Sequence, residues 1–379
     1  WRPGPQMNMR SGIVGIWIIA TGVIIALLYL GRAILAPFAL AVFLFLVMEG
    51  FARVIDARLS FMSQAASRAV SILGTLVGFG IFIGLLAQGV SQFSDQAGDY
   101  EEKINGLISD AYGIVNMGSA PTLTEIIFDE RGQRFFATIA GALGDLSGDL
   151  VVILIYVAFL FLAQSAWSPK LDRIFRDKER RDQVSEIGHA ARRGIETYLW
   201  TQTVISVMIT VLTYITLVAL GVDNAIFLSG LIFVLNYIPT IGSIVAAFVP
   251  FLFALVQPDV PGWVPGGAQD SYFFSVIVFA AVSFWQFMIG NFVQPRIMGD
   301  SLNISALVVL LSLAIWGAIW GIPGMFLSAP LTVLLMILCA QSATTRWIAV
   351  LLSADGDPGG ALTGQPETTK RQTAESTAN

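Results

Sequence analysis

The sequence has 379 residues, of which 55% are hydrophobic and only 12% are charged, and its mean hydropathy is +0.74. Because about a quarter of the residues in a soluble domain are charged, this composition excludes an ordinary soluble protein and indicates a polytopic membrane protein. The net charge is −5, and Cys339 is the single cysteine, so no disulfide can form within this sequence.

Six apolar segments approach or exceed the roughly 20 residues that a helix needs to cross a bilayer. They are residues 12–30, 33–48, 70–90, 150–166, 198–220 and 273–289. The first segment is long, and no small-residue cleavage site precedes the second. We therefore expect a retained first span and not a cleaved signal peptide.

The distribution of charge predicts how the chain is threaded, since lysine and arginine concentrate in cytoplasmic loops. Segment 167–197 contains eight of these residues and is predicted to be cytoplasmic. Segment 91–148 carries nine acidic residues against three basic ones, and segment 257–271 has no basic residue, so both are predicted outside. Together with Arg2 and Arg10, this pattern places both termini in the cytoplasm.

The acidic segment 91–148 is predicted to contain two or three amphipathic helices, because Ile104, Leu107, Ile108 and Tyr112 recur at helical spacing. A helical spacer that packs on itself or on a neighbouring subunit is the favoured interpretation. A lid that captures a ligand is the alternative.

The basic segment 167–197 is predicted to form an amphipathic helix along anionic lipid headgroups, with Leu171, Ile174 and Phe175 on its apolar face. Acidic residues are interleaved with the basic ones throughout, which disfavours a regulatory role or nucleic-acid binding. Residues 343–379 are predicted to form a cytoplasmic tail that is largely disordered.

The stretch "NYIPTIGS" interrupts a charge-free run, and its Pro239 and Gly242 both disfavour a continuous helix. Residues 224–235 would span about 18 Å as a helix and residues 241–256 about 24 Å. A hydrocarbon core is about 30 Å thick. Because both ends of this unit are predicted outside, we expect a re-entrant hairpin that turns at 236–242.

A second hairpin is predicted from residues 303–319 and 325–340, each again short for a full span. Gly321, Pro323 and Gly324 form its tip. Since this hairpin would begin from the cytoplasmic side, the two span-plus-hairpin units are predicted to be inverted relative to each other, as in many secondary transporters. Ordinary tilted spans with proline kinks are the alternative.

The predicted fold is an all-α polytopic membrane protein with about six full spans, two re-entrant helical hairpins in inverted topology, and an extracytoplasmic helical insert. The predicted units are the amino-terminal spans at 1–90, with 1–10 as a cytoplasmic tail, the insert at 91–148, a span at 149–166, the basic segment at 167–197, a span and the first hairpin at 198–256, the outer loop at 257–271, a span and the second hairpin at 272–342, and the tail at 343–379.

Two stretches resemble a known family. "GVDNAIFLSGLIFVLNYIPTIGSIVAAFVPFLFAL" resembles the Pro-x-x-Gly hairpin of the autoinducer-2 exporter family, and "NFVQPRIMGDSLNISALVVLLSLAIWGAIWGIPGMFLSAPLTVLLMI" resembles its second motif block. The matching positions are Asn236, Pro239, Gly242, Gln294, Pro295, Gly299, Leu302, Gly317, Gly321, Gly324 and Pro330. The resemblance covers residues 198–338, and Ala306 departs from it where the family has proline.

The resemblance implies a multi-pass permease of the bacterial inner membrane with both termini in the cytoplasm. Members of the family are associated with autoinducer-2 export and with sodium/proton exchange. The resemblance therefore implies transport more strongly than it implies a particular substrate.

The candidate site consists of neutral polar residues and helix breaks at the two hairpin tips. Its predicted substrate- or ion-binding residues are Asn236, Tyr237, Pro239, Thr240, Gly242, Ser243, Asn291, Gln294, Pro295, Gly321, Pro323 and Gly324. Asp300 is the candidate coupling residue, because a proton-coupled carrier normally holds a carboxylate or a histidine inside its bundle. Gln286 and Ser328 are expected to make helix-packing hydrogen bonds.

The sequence lacks the nucleophile, zinc and phosphate-loop motifs of enzymes, so no enzymatic activity, cofactor or metal is predicted. We expect a secondary transporter of a small polar solute, with an autoinducer-2-like molecule as the first candidate. A sodium-coupled cation/proton antiporter and a non-transporting membrane scaffold are the alternatives. Glycines in the early spans favour a homo-oligomer, possibly larger than a dimer.

Overall fold

The computed structural model describes residues 9–58, 64–95, 97–115, 121–122, 124–125, 150–164, 166–174, 177–265, 271–298, 303–342 and 344–357. In these residues the helices are α1 (Met9–Leu30), α2 (Arg32–Arg58), α3 (Gln64–Asp95), α4 (Ala97–Val115), α5 (Leu150–Gln164), α6 (Trp167–Ile174), α7 (Lys178–Leu220), α8 (Ala225–Leu235), α9 (Ile241–Val256), α10 (Ser271–Met288), α11 (Gln294–Met298), α12 (Ala306–Trp320), α13 (Ile322–Ala340) and α14 (Arg346–Leu352), with a π-helical turn, Ile289–Val293, between α10 and α11. The described chain contains no sheet.

Five helical stretches in the described residues are long and apolar enough to cross a membrane. They are Arg32–Arg53, Ala69–Gly89, Val184–Leu220, Ser271–Ile297 and Ile322–Ala340. The chain is therefore a polytopic helical membrane protein, as its composition predicts. The described apolar parts of two further predicted spans, Ile18–Leu30 and Leu150–Gln164, are shorter.

The second limb of the second hairpin differs from its prediction. It begins at Ile322, three residues before the predicted start, and its 19 residues extend about 28 Å. The expectation that this limb is too short to cross is therefore wrong. The first limb, Ala306–Trp320, has 15 residues and is short, as predicted.

The longest helix, α7, joins the basic segment to the following apolar span in one run of 43 residues, about 64 Å long. Asp177 caps its amino terminus by accepting a hydrogen bond from the backbone N–H of Glu179. Gly221 ends it with φ = 80°, a left-handed conformation that suits glycine. Both hairpins pack along this helix.

The first hairpin, α8–α9, opens toward the carboxyl end of α7. The side chain of Gln257 donates to the carbonyl oxygens of Gly221 (3.0 Å) and Asp259 (2.7 Å) and accepts from the backbone N–H of Asp223 (3.0 Å). Trp263 donates to the carbonyl oxygen of Leu220 at 3.2 Å. The start of α8 and the end of α9 therefore lie together beside the end of α7.

The second hairpin, α12–α13, opens toward the other end of α7. Val333 and Ile337 pack with Ile187, and both lie within van der Waals distance of a side chain built at Gly194. The two hairpins therefore point in opposite directions along α7.

The start of the predicted tail closes the open end of the second hairpin. Helix α14 packs on α13, and the backbone N–H of Ser305 donates to Leu352 at 3.2 Å. An isolated β-bridge joins Ile304 to Ser353. Residues after 357 lie outside the described part of the chain.

The first helix of the insert, α4, contacts the first hairpin. The buried ring of Tyr100 lies 6.2 Å from that of Phe253, measured between centroids, in an edge-on arrangement. The second helical stretch predicted for the insert falls outside the described residues.

Each hairpin has one glycine at which its two limbs are in backbone contact. A Cβ added at Gly242 would overlap the carbonyl oxygen of Leu235, and one added at Gly324 would overlap that of Trp316. Both obstacles are backbone atoms that no side-chain rotation can move. The glycines therefore permit the close approach of the limbs.

We predict that Gly242→Ala and Gly324→Ala each prevent correct packing of a hairpin, because the added methyl group occupies the space of a carbonyl oxygen. Thermal unfolding in detergent should show a large loss of folded protein for both. Gly84→Ala is the matched control, since nothing lies within 4 Å of its Cβ position. Equal melting temperatures for all three variants would contradict this packing.

Asp223, at the mouth of the first hairpin, has a pKa raised above its usual value by burial and by the nearby charge of Asp259. Its ionised form is therefore less favourable in the folded state than in the unfolded state. Protonated Asp223 does not destabilise the folded protein. The folded protein loses stability as the pH rises through the raised pKa and the carboxyl ionises.

We predict that Asp223→Asn increases the melting temperature at neutral pH, because the amide stays uncharged. The difference from wild type should shrink toward about pH 4, near the ordinary aspartate pKa. A pH series of melting curves measures this, with the exposed Asp99→Asn as control. A variant less stable than wild type at neutral pH would contradict the prediction.

Candidate functional site

The first candidate site lies where the two hairpins meet. The ring of Tyr237, in the first tip, stacks on Phe326 of α13 with 4.8 Å between centroids and a 25° interplanar angle. Phe43 of α2 lies 4.9 Å from Phe326 and 6.1 Å from Tyr237. Three separate parts of the chain thus build one aromatic wall.

Asn236, beside this wall, is held from two sides. Its backbone carbonyl accepts a hydrogen bond from Gln202 Nε2 of α7 at 2.6 Å, and its Oδ1 accepts from Gln286 Nε2 of α10 at 3.3 Å. Asn236 is only 8% exposed, and its Nδ2 has no hydrogen-bond partner among the described residues. An unpaired buried donor costs about 1–3 kcal/mol, so this amide is a strong candidate to bind a ligand.

The hydroxyl group of Tyr237 extends the same site. Thr203 donates its hydroxyl proton to the carbonyl oxygen of Leu199 at 2.7 Å. The 2.8 Å contact between Thr203 and Tyr237 must therefore use the proton of Tyr237. The phenolic oxygen keeps its capacity to accept a hydrogen bond.

The turn after Tyr237 is strained. Thr240 has φ = 58° and ψ = −56°, and the backbone N–H of Ile241 donates to Pro239 across it at 2.6 Å, which forms a γ-turn. Strain of this kind costs about 1–3 kcal/mol. The hydroxyl groups of Thr240 and Ser243 both donate to carbonyl oxygens within the turn.

The tip of the second hairpin is fastened to α1. Trp320 donates its indole N–H to the carbonyl oxygen of Leu28 at 3.1 Å. Gly321 has φ = 66° and ψ = −140°, and Pro323 lies in the first turn of α13. This hairpin reaches the Asn236 site through Phe326.

Of the predicted site residues, the structure brings Asn236 and Tyr237 together. Asn291 is exposed and donates to Phe287 of its own helix, Gln294 is half-buried, and Pro295 is exposed. No hydrogen bond between described residues joins these three to Asn236. Asp300 lies outside the described residues.

Four residues of this site were not predicted from the sequence: Gln202, Thr203, Phe43 and Phe326. A usable signal for the first two was the polar run "TQT" at 201–203, in an otherwise apolar stretch. Gln286 was expected to make a helix-packing hydrogen bond, and its partner proves to be Asn236. Ser328 is fully buried and donates to Met325 of its own helix.

A second candidate site is a charged cavity of about 770 Å³ at the basic end of α7. Arg192 contacts Glu49 of α2 at 3.1 Å and Glu196 at 2.7 Å, and Arg53 pairs with Glu196. Both glutamates are buried. This ion-pair cluster joins α2 to α7, so its first effect is structural.

We predict that Arg192→Met destabilises the protein by about 3 kcal/mol, the low end for breaking a buried ion pair, because Arg192 is itself partly exposed. The substitution leaves Glu49 and Glu196 buried without this guanidinium. Arg193→Met removes the neighbouring exposed charge, which lines the same cavity, and is the matched control. Similar melting temperatures for the two variants would show that the cluster adds no stability.

The Asn236 site is built from neutral groups. Among the described residues, no group of three or more histidine, cysteine, aspartate or glutamate side chains could hold a metal ion. The donors and acceptors here are amides, hydroxyl groups and backbone carbonyls. These groups suit an uncharged solute that carries hydroxyl or carbonyl oxygens.

The chain is similar to known transport proteins. The family model described as "AI-2E family transporter" matches residues 16–343, which is most of the chain. A Haemophilus influenzae protein named "Putative transport protein" is 28% identical over 356 residues, covering 92% of this chain and 97% of its own length.

Two Escherichia coli proteins are also similar. "AI-2 transport protein TqsA" is 38% identical over 167 residues, which cover 43% of this chain and 45% of that protein. "Putative transport protein YhhT" is 27% identical over 314 residues, covering 80% of this chain and 85% of that protein. Similarity to transport proteins therefore extends over most of the chain.

Proposed function

This chain belongs to the AI-2E family of transporters, and we propose that it is a secondary transporter that exports a small neutral polar solute. Autoinducer-2, or a molecule like it, is the proposed substrate. The observation that carries the proposal is the buried, unpaired amide of Asn236 at the junction of α7, α10 and the first hairpin. We propose no enzymatic activity for the chain.

The chemistry of the site supports a neutral substrate. Because Oδ1 of Asn236 already accepts from Gln286, its Nδ2 is the atom presented to a ligand, and Nδ2 can only donate. The phenolic oxygen of Tyr237 supplies an acceptor beside it. The name of the E. coli relative, an AI-2 transport protein, agrees with a solute of this class.

The opposed hairpins support a transport cycle. We propose that both are re-entrant and enter the bacterial inner membrane from opposite sides, with both termini in the cytoplasm. Helix α13 alone is long enough to cross, but its partner limb α12 is not, which favours a hairpin over two full spans. Broken helices that meet inside the bundle are a common way to build a transporter site. Irregular backbone at membrane depth is tolerated where it is buried in protein or lines a cavity.

We predict that Asn236→Ala lowers the efflux of autoinducer-2 from loaded proteoliposomes by about tenfold, the effect of losing one good hydrogen bond to the solute. Gln88→Ala, which truncates an exposed amide on α3, should transport like wild type. Gln294→Ala tests whether the site extends to the predicted second motif. Efflux is measured with and without sodium and proton gradients, so that the same vesicles reveal the coupling ion.

Asn236→Asp sharpens this test. A carboxylate cannot donate a hydrogen bond, so transport of a neutral solute should fall as it does in Asn236→Ala. Wild-type rates in both variants, with normal membrane insertion, would refute the assignment of the site. Absence of efflux by the wild-type chain would refute the proposed substrate.

A further inference from the structure

Helix α7 carries three buried hydroxyl groups that lack hydrogen-bond partners among the described residues. They belong to Ser206, Thr210 and Thr213. Ser206 and Thr213 are 0% exposed, and the hydroxyl oxygen of Thr210 is also buried. Three orphaned hydroxyl groups on one helix of a packed bundle call for a physical reason.

Other hydroxyl groups of α7 and α8 donate to the backbone of their own helix. Thr203 and Thr216, which flank the three on α7, donate to the carbonyl oxygen four residues earlier, at 2.7 Å and 2.8 Å. Ser229 of α8 does the same at 2.7 Å. This backbone bond is the usual choice for serine and threonine within helices. Ser206, Thr210 and Thr213 instead keep their hydroxyl groups free of the helix backbone.

The three residues share one face of α7. They follow Gln202 at intervals of four, eight and eleven residues, which places all of them near the same side of an α-helix. Gln202 and Thr213 are about 16 Å apart along the axis. We call Ser206, Thr210 and Thr213 the hydroxyl face.

Two contacts tie α10 to the residues that flank the hydroxyl face on α7. Asn236, which accepts from Gln202 four residues before Ser206, also accepts from Gln286 of α10. The adjacent residue Trp285 donates to Thr216 Oγ1, three residues after Thr213, at 2.9 Å. The hydroxyl face thus runs from the Asn236 site toward the carboxyl end of α7, where the first hairpin opens.

We propose that the hydroxyl face is the track along which the solute moves between the Asn236 site and the Gly221–Gln257 end of the bundle. The proposal rests on the proposed transport function. Each hydroxyl group both donates and accepts, so the face matches a neutral solute that bears hydroxyl or carbonyl oxygens. The track is closed in this structure and opens when α10 or the first hairpin moves away from α7.

Water accessibility provides the first test. Cys339 is the chain's only cysteine, so Cys339→Ala supplies a cysteine-free background. Single variants Ser206→Cys, Thr210→Cys and Thr213→Cys are then treated with a charged, membrane-impermeant methanethiosulfonate reagent in proteoliposomes containing autoinducer-2. Val207→Cys, Val211→Cys and Ile215→Cys are the controls, because they lie at the same depths on the exposed side of α7.

We expect the three cysteines on the hydroxyl face to react at least about tenfold faster than the controls, since a charged reagent reaches thiols lining a hydrated path and not those facing lipid. Equal or slower reaction at all three positions would overturn the track. The readout is the access of water to the face, so it does not require a measured flux of autoinducer-2.

Flux provides the second test. Ser206→Ala, Thr210→Val and Thr213→Val remove the hydroxyl groups with little change of volume. In the triple variant we expect autoinducer-2 efflux to fall about tenfold or more, since each lost hydrogen bond costs the passing solute about threefold in binding. Thermal stability should be unchanged or higher, because three orphaned polar groups are gone.

The outcomes separate the two proposals. Wild-type efflux in the triple variant would overturn the track while leaving the Asn236 site in place. Absence of efflux by the wild-type chain would overturn the proposed function, and the solute track with it. Reduced efflux together with a large loss of stability would also overturn the track, since it would show that the hydroxyl groups hold the fold together.

Discussion

Every backbone polar group inside a bilayer needs a partner within the protein, and the two broken hairpins concentrate that requirement. The chain meets it with long side chains that donate to carbonyl oxygens at or near the ends of helices. Gln202 donates to Asn236 at the first tip, Trp320 to Leu28 beside the second, and Gln257 to Gly221 at the mouth of the first hairpin. Each bond crosses between elements, so satisfying the backbone also fixes how the hairpins sit on the bundle.

The same requirement connects the hairpin turns to the candidate site. Gly242 allows α9 to touch the carbonyl group of Leu235, the residue just before Asn236. Gly324 likewise allows α13 to touch the carbonyl group of Trp316. It lies two residues before Phe326, which stacks on Tyr237. Asn236 and Phe326, which belong to the candidate site, therefore lie close to the two positions where the hairpin limbs are in backbone contact. A small displacement at either backbone contact would therefore shift Asn236 or Phe326.

The sequence predicted the membrane class and the helix breaks at both tips, because these depend on composition and on local backbone preferences. It also singled out Asn236 and Tyr237, which the candidate site contains. It did not predict Gln202, Thr203 or Phe326, because their partners lie tens of residues away and only tertiary packing joins them. The early start of α13 has a local cause. Pro323 was interpreted as a helix break, yet proline fits the first turn of a helix, where its missing N–H is not needed.

Two regions of α7 are held by interactions of different kinds. At the basic end, Glu49, Arg53, Arg192 and Glu196 form directional, charge-assisted contacts that are costly to break once buried. Near its middle, Tyr237 meets Phe326 and Phe43 through ring contacts, which tolerate sliding better than ion pairs because they depend on contact area more than on direction. The contact between α2 and α7 is therefore the stiffer of the two. A transporter that moves its hairpins needs this combination, because a fixed ion-paired end gives the softer aromatic junction a reference against which to move.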